Sequence, residues 1–171
     1  LLVSPPGGVL SHFTAAALWA PTAPRSAQIH VAYQGQAQVR RAEVSVHRFT
    51  YPLERVWRHG LPVTSPGMTF MHLAVRLDLM ELTAFGDRLV KRRHITVEEL
   101  QEYARVWDRH GGRAGRAAAS LVRDRVDSVP ETHLRLLIVL AGLPEPEVNL
   151  WVEDELRRPL YLLDLAYPRL K

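Results

Sequence analysis

Two carboxylates near the end of the chain lie in sequence settings where they could do chemistry. Asp164 interrupts the apolar run Leu162-Leu163-Asp164-Leu165. Burying an unpartnered charge is costly, so this carboxylate needs a metal ion, an arginine or an exposed strand face. The second carboxylate is that of Glu131, and two structural roles could explain it without any chemistry. It stands at capping-box spacing from Ser128, and it lies four residues before Arg135 in a favourable helical pair.

Basic residues form the second candidate site. A positive face would bind a nucleic acid through its phosphates, largely independently of sequence and with strong salt dependence. The formal net charge of +4 is compatible with such a partner. The alternative is a solvated surface whose charge is balanced by acidic residues such as Glu98, Glu99, Asp108 and Asp124. The candidate cations are Arg40, Arg41, Lys91, Arg92, Arg93, Arg113 and Arg116, with Arg123 and Arg125 beyond them.

The eight histidines are scattered through the sequence, and none has the helical spacing of a zinc protease. We predict that His30 and His47 lie on strand faces. Ser11 and His12 place a possible nucleophile beside a base. Adjacent helical residues point in different directions and no orienting acid is evident, so Ser11 is predicted to cap a helix.

Composition narrows the class of protein. The chain of 171 residues has no cysteine, which excludes disulfides and thiolate zinc sites. No apolar run approaches the roughly 18 residues of a membrane span, and the first residues lack the pattern of a secretion signal. We therefore expect a cytoplasmic protein that has no membrane partner.

Residue patterns in the first part of the chain predict a mixture of helices and strands. A cap at Ser11 and a stop at Pro21 delimit a short helix, and Ser65-Pro66 begins another. Alternation of apolar and polar residues predicts strands over 28–33 and 42–47, joined by a turn that contains Gly35, and a further short strand over 59–64.

From Asp78 the pattern becomes helical. Leu82, Phe85 and Leu89 belong to one apolar stripe, and Thr96 has capping-box spacing from Glu99. Further helices are predicted over 113–123 and 128–142, separated by a polar joint over 124–127, and a hairpin follows with strands over 148–152 and 160–165. The predicted fold class is α+β, with a region over 1–125 and a second over 126–171.

Two blocks carry a family resemblance. Residues 10–19, LSHFTAAALW, and residues 58–66, RHGLPVTSP, resemble the central region of bacterial proteins related to AbiEi-type antitoxins and transcriptional regulators. Residues 128–168 are similar to the start of an endonuclease-like domain related to very-short-patch-repair and PD-(D/E)XK nucleases. The chain departs from the family where relatives show an Arg-Thr pair and an aspartate, because it has Met68, Thr69 and His72 there.

The resemblance implies a DNA-associated regulator or antitoxin-like protein, with a small mixed sheet, a helical linker region and an incomplete restriction-endonuclease-like core. It implies a DNA-reading element before Leu1. It also implies that Glu131 and Asp164 are metal ligands and catalytic acids for Mg²⁺, with the remaining catalytic residues beyond Lys171. Two alternatives stay open: an active Mg²⁺-dependent DNA endonuclease, and a module over 1–125 that binds a toxin protein.

Overall fold

The computed structural model describes residues 7–35 and 41–170 and has the α+β architecture that the sequence predicts. The described part contains a five-stranded mixed sheet, a two-stranded sheet and six helices. In chain order the elements are β1 (Val9–Leu10), α1 (His12–Trp19), β2 (Ile29–Gln34), β3 (Val44–Phe49), β4 (Arg55–Arg58), β5 (Leu61–Thr64), α2 (Pro66–Leu73), α3 (Leu79–Lys91), α4 (Val97–Val106), α5 (Gly112–Leu121), α6 (Val129–Leu140), β6 (Glu147–Glu153) and β7 (Pro159–Ala166).

The five-stranded sheet has the order β3-β2-β1-β5-β4. Strands β2 and β3 are parallel, from the pair Ile29 and Val44 to the pair Gln34 and Phe49. A parallel neighbour must start again at the same end of the sheet, so β2 and β3 do not form a hairpin. The predicted turn falls mostly on residues 36–40, which lie outside the described residues. The sequence patterns also missed β4, which pairs antiparallel with β5 across the two-residue turn that contains Gly60 at φ 73°.

The blocks at residues 10–19 and 58–66 lie next to each other in the fold. Leu10 in β1 pairs with Val63 in β5. The Trp19 indole N–H donates a hydrogen bond to the Thr64 carbonyl over 3.0 Å. Helices α1 and α2 contact each other, and the buried Ala16 belongs to the same core. Segments more than 40 residues apart in sequence thus form one packed unit.

Helix α3 follows the predicted apolar stripe, and α4 begins at the predicted cap. Leu82, Phe85 and Leu89 of α3 are buried in the core, and both predicted ends of the capping box at Thr96 and Glu99 are formed. The four tryptophans divide into two groups. Trp19 and Trp107 are buried, whereas Trp57 and Trp151 are exposed.

A buried ion pair connects α3 with α6. Arg135 Nη2 lies 3.3 Å from Asp87 Oδ2, and the two side chains are 0% and 1% exposed. Arg135 Nη1 donates to Glu145 over 2.8 Å, and the Thr132 hydroxyl donates to Asp87 over 2.8 Å. The predicted helical pair between Glu131 and Arg135 is therefore wrong, because the guanidinium is directed to these other carboxylates.

The last two strands form the predicted hairpin. Strand β6 pairs antiparallel with β7, and Gly142 at φ 78° follows the end of α6, as expected for a left-handed cap. In the part of the chain that the structure describes, no helix combines the length and apolar character that crossing a membrane requires.

Candidate functional site

Three histidines from three elements meet beside the five-stranded sheet. His12 is the first residue of α1 and has a φ of 47°, in the left-handed region that non-glycine residues seldom occupy. His30 lies in β2 and His47 in β3, as predicted for strand residues. One ring nitrogen from each histidine lies within 4.8 Å of the others.

The parallel register of β2 and β3 explains how the two strand histidines meet. His30 is the register partner of Ser45, and Ala32 is the partner of His47. Side chains two positions apart on a strand share a face, so Ser45 and His47 lie on the face of the sheet that carries His30. The result is a distance of 2.8 Å between His30 Nδ1 and His47 Nε2.

Hydroxyl groups surround these rings. Ser26 Oγ lies 2.8 Å from His30 Nε2, and Ser45 Oγ lies 3.3 Å from His47 Nε2. Ser11 Oγ lies 3.0 Å from His12 Nδ1. Each hydroxyl can donate to or accept from an imidazole, so these contacts fix the orientation of the rings in either tautomer.

A fourth histidine, His72 of α2, completes what we call the imidazole cluster (His12, His30, His47 and His72). The His12 ring stacks on His47 and on His72, with centroid distances of 3.7 and 4.9 Å. His72 Nε2 lies 3.2 Å from the Tyr51 hydroxyl. Its Nδ1 atom is buried and has no hydrogen-bond partner among the described residues.

Burial keeps the imidazole cluster uncharged at neutral pH. Desolvation lowers the pKa of His12 to about 2, of His72 to about 3 and of His47 to about 4, and it also lowers the pKa of His30. The positive charge of Arg76 lowers the pKa values of His12, His30 and His47 further. A neutral imidazole keeps a nitrogen lone pair, so the neutral form of histidine is the one that binds metal ions.

The Ser11 and His12 contact differs from the sequence expectation. Ser11 occupies the cap position of α1, but its side chain makes no capping hydrogen bond and contacts the His12 ring instead. No carboxylate is hydrogen-bonded to His12 among the described residues, so a serine-histidine pair is present without the acid that orients a catalytic triad.

The structure places the two predicted acidic ligands in ordinary surroundings. The Glu131 carboxylate accepts a hydrogen bond from the Asp127 N–H over 2.9 Å, while Ser128 Oγ accepts from the Glu131 N–H over 3.3 Å. The hydrogen bond from the Glu131 N–H to Ser128 is therefore formed as expected for a capping box, but the Glu131 carboxylate accepts from the N–H of Asp127 and not from that of Ser128.

Asp164 lies in β7 with its side chain exposed. An exposed strand face therefore accounts for this carboxylate without a metal ion or an arginine. The role of Glu131 and Asp164 toward Mg²⁺ in catalysis stays a prediction of the resemblance.

The predicted cations have different partners. Arg40 lies outside the described residues. Lys91 forms an ion pair with Asp127, and the Arg116 guanidinium donates to the Trp107 carbonyl over 3.1 Å. The cations exposed to solvent include Arg41 before β3, Arg92 and Arg93 at the end of α3, and Arg113 on α5.

Sequence reasoning missed the imidazole cluster as a unit. The available signal was the placement of His30 and His47 at strand positions, combined with His12 at the start of a small-residue helix. No local spacing connects them, because the pairing of β2 with β3 and the packing of α1 bring them together.

Comparison of the chain with protein-family models, with curated proteins and with solved structures finds no match.

Proposed function

We propose that this chain belongs to a DNA-associated bacterial regulator or antitoxin-like protein. The observation that carries the proposal is the ordered pair of sequence blocks at residues 10–19 and 58–66. Their packing supports it, because Leu10 pairs with Val63 and Trp19 bonds to Thr64, so that the family-like residues form one local unit of the fold.

Exposed cations on the helical region support a phosphate-binding role. Arg92 and Arg93 directly follow α3, whereas Arg113, in the first turn of α5, lies near Leu79 at the other end of α3. Guanidinium groups bind phosphate oxygens through charge-assisted hydrogen bonds without reading bases.

Fluorescence anisotropy with a labelled DNA duplex tests this proposal. We expect binding at low ionic strength that weakens as salt increases, and a salt slope about 1.8 lower for the Arg92→Gln/Arg93→Gln double variant, because each phosphate contact contributes about 0.9. Arg105→Gln is the matched control, since Arg105 is exposed but already bonded to Glu102. Absence of binding at low ionic strength, or an equal loss in the control, would refute the proposal.

A specific observation favours a protein partner as the second candidate function. Large apolar side chains are exposed on the segment over 134–163, whereas the region over 1–125, where a toxin-binding module was expected, exposes fewer of them. Monomers rarely expose large apolar patches, so these side chains favour an interaction surface in the C-terminal segment. They are Leu134, Leu137, Leu140, Leu143, Trp151, Leu156, Leu160, Tyr161, Leu162 and Leu163.

A pull-down with quantitative mass spectrometry tests this second candidate. We expect one protein to be recovered in stoichiometric amount with the wild-type chain and lost with Leu137→Ser. Trp57→Ser is the control, because Trp57 is an exposed apolar side chain outside the segment. Equal recovery with both variants, with circular dichroism showing both folded, would contradict the placement.

A further inference from the structure

We propose that His12, His30 and His47 bind one divalent transition-metal ion, of which Zn²⁺ is the leading example. The proposal rests on three imidazoles from separate elements whose ring nitrogens lie within 4.8 Å of one another. It is independent of DNA association and concerns a different part of the molecule from Glu131 and Asp164.

The distances suit a small ion with only local adjustment. Zinc binds histidine nitrogen at about 2.0–2.1 Å, so neighbouring ligands in a tetrahedral site are roughly 3.3 Å apart. His30 Nδ1 and His47 Nε2 are 2.8 Å apart, slightly closer than that separation. Every separation within the group is 4.8 Å or less, so ring movements on the order of 1 Å, which include an opening of the stack of His12 on His47, bring the three nitrogens around one ion.

The separation of 2.8 Å between His30 Nδ1 and His47 Nε2 is that of a hydrogen bond, in which one neutral ring donates its N–H to the lone pair of the other. A metal ion that replaces this proton finds the two nitrogens already directed toward each other. The hydroxyls of Ser26 and Ser11 contact one nitrogen of His30 and one of His12. They leave the second nitrogen of each ring for a ligand and act as the hydrogen-bonding partners that orient metal-binding histidines.

The ligand type selects the class of ion. All three donors are imidazoles, no carboxylate belongs to the group, and the chain has no cysteine. Imidazole nitrogen favours Zn²⁺, Cu²⁺ and Ni²⁺, whereas Mg²⁺ and Ca²⁺ prefer oxygen ligands. Three histidines leave a fourth position of a tetrahedral site open to water or a small ligand. His72 stacks on His12 and is not one of the three donors.

Arg76 opposes a cation at this place. Its charge acts on His12, His30 and His47, and the same repulsion must weaken the binding of a metal ion. The side chain is exposed, so it can be replaced without disturbing the core. Removing the charge should therefore increase the affinity of the site for the ion.

Titration of the chelator-treated full chain with Zn²⁺ and Co²⁺ tests the proposal, with calorimetry for stoichiometry and visible absorption of Co²⁺ for nitrogen coordination. We expect one ion per chain. His47→Gln, on the edge strand β3, should weaken binding by about tenfold or more, because loss of an orienting partner alone costs about that much. His110→Gln, an exposed histidine outside the imidazole cluster, should bind normally, and Arg76→Gln should bind more tightly.

Several results would overturn the assignment, provided that circular dichroism shows each variant folded. They are the absence of saturable binding of one ion per chain, equal affinity of His47→Gln and wild type, or displacement of Zn²⁺ by equimolar Mg²⁺.

Discussion

Acid should destabilise this protein through the imidazole cluster before most carboxylates titrate. Burial lowers the pKa of His12 from 6.5 to about 2 and that of His72 from 6.5 to about 3. Below pH 6.5 the unfolded chain binds protons at these two positions while the folded chain does not. The free energy of unfolding must therefore fall as the pH falls through the window between the unfolded and folded values.

The magnitude follows from the linkage relation. Each pH unit below the unfolded value of a group costs about 1.4 kcal/mol while its folded form stays neutral. At about pH 5, His12 and His72 each cost about 2 kcal/mol, which is about 4 kcal/mol together. That is a large fraction of the roughly 5–15 kcal/mol stability of a typical domain. His47 and His30 act in the same direction with a smaller effect, because they are less buried and solvent screens them.

Urea denaturation followed by circular dichroism, at about pH 7.5 and about pH 5 with chelator present, measures this effect. The His72→Gln variant removes one titrating ring, so its loss of stability between the two pH values should be about 2 kcal/mol smaller than that of wild type. Burial raises the pKa of Asp87, which acts in the opposite direction, but this contribution is common to both proteins. Equal unfolding free energies of wild type at both pH values, or equal losses in wild type and His72→Gln, would refute the reasoning.

Three substitutions test the packing, each measured as the change in the free energy of unfolding in urea. Arg135→Ala should cost about 3–5 kcal/mol because it leaves the Asp87 carboxylate buried without its cation, and a loss under about 1 kcal/mol would mean that water reaches the carboxylate. Gly86→Ala should cost about 1–3 kcal/mol, since the new Cβ would lie 2.4 Å from Val122 Cγ2, and a neutral result would show that α3 can move away. Thr96→Ala should cost about 1 kcal/mol through loss of the helix cap while Thr96→Ser stays near neutral, and equal effects would exclude the hydroxyl as the cause.

The sequence was sufficient for features that depend on near neighbours. The capping box of Thr96 and Glu99 is specified within four residues, and the buried stripe of α3 follows the helical repeat. The α+β class follows from such local patterns, because each element is recognised separately. Strand β4 was not predicted, because Arg55–Arg58 is only four residues long and has an arginine at each end.

Contacts between residues that are distant in sequence could not be predicted, because local patterns do not specify which elements pack together. Arg135 has a carboxylate four residues away at Glu131, yet it pairs with Asp87, which is 48 residues distant in sequence. Arg135 pairs with Asp87 because α6 packs against α3, and no local sequence pattern predicts that packing. The imidazole cluster likewise depends on the parallel pairing of β2 and β3, whereas the alternating pattern predicts strands without their direction.

The buried pair between Asp87 and Arg135 also determines how the chain behaves when its backbone is cut. The joint over 124–127 exposes the side chain of Arg125, the residue type after which trypsin cuts. Cleavage there breaks the covalent connection between the helical region and α6 but leaves the guanidinium inside its carboxylate partners. Separating the fragments would leave the Asp87 carboxylate and the Arg135 guanidinium each without its partner. The nicked protein should therefore migrate as one particle until denaturant is added.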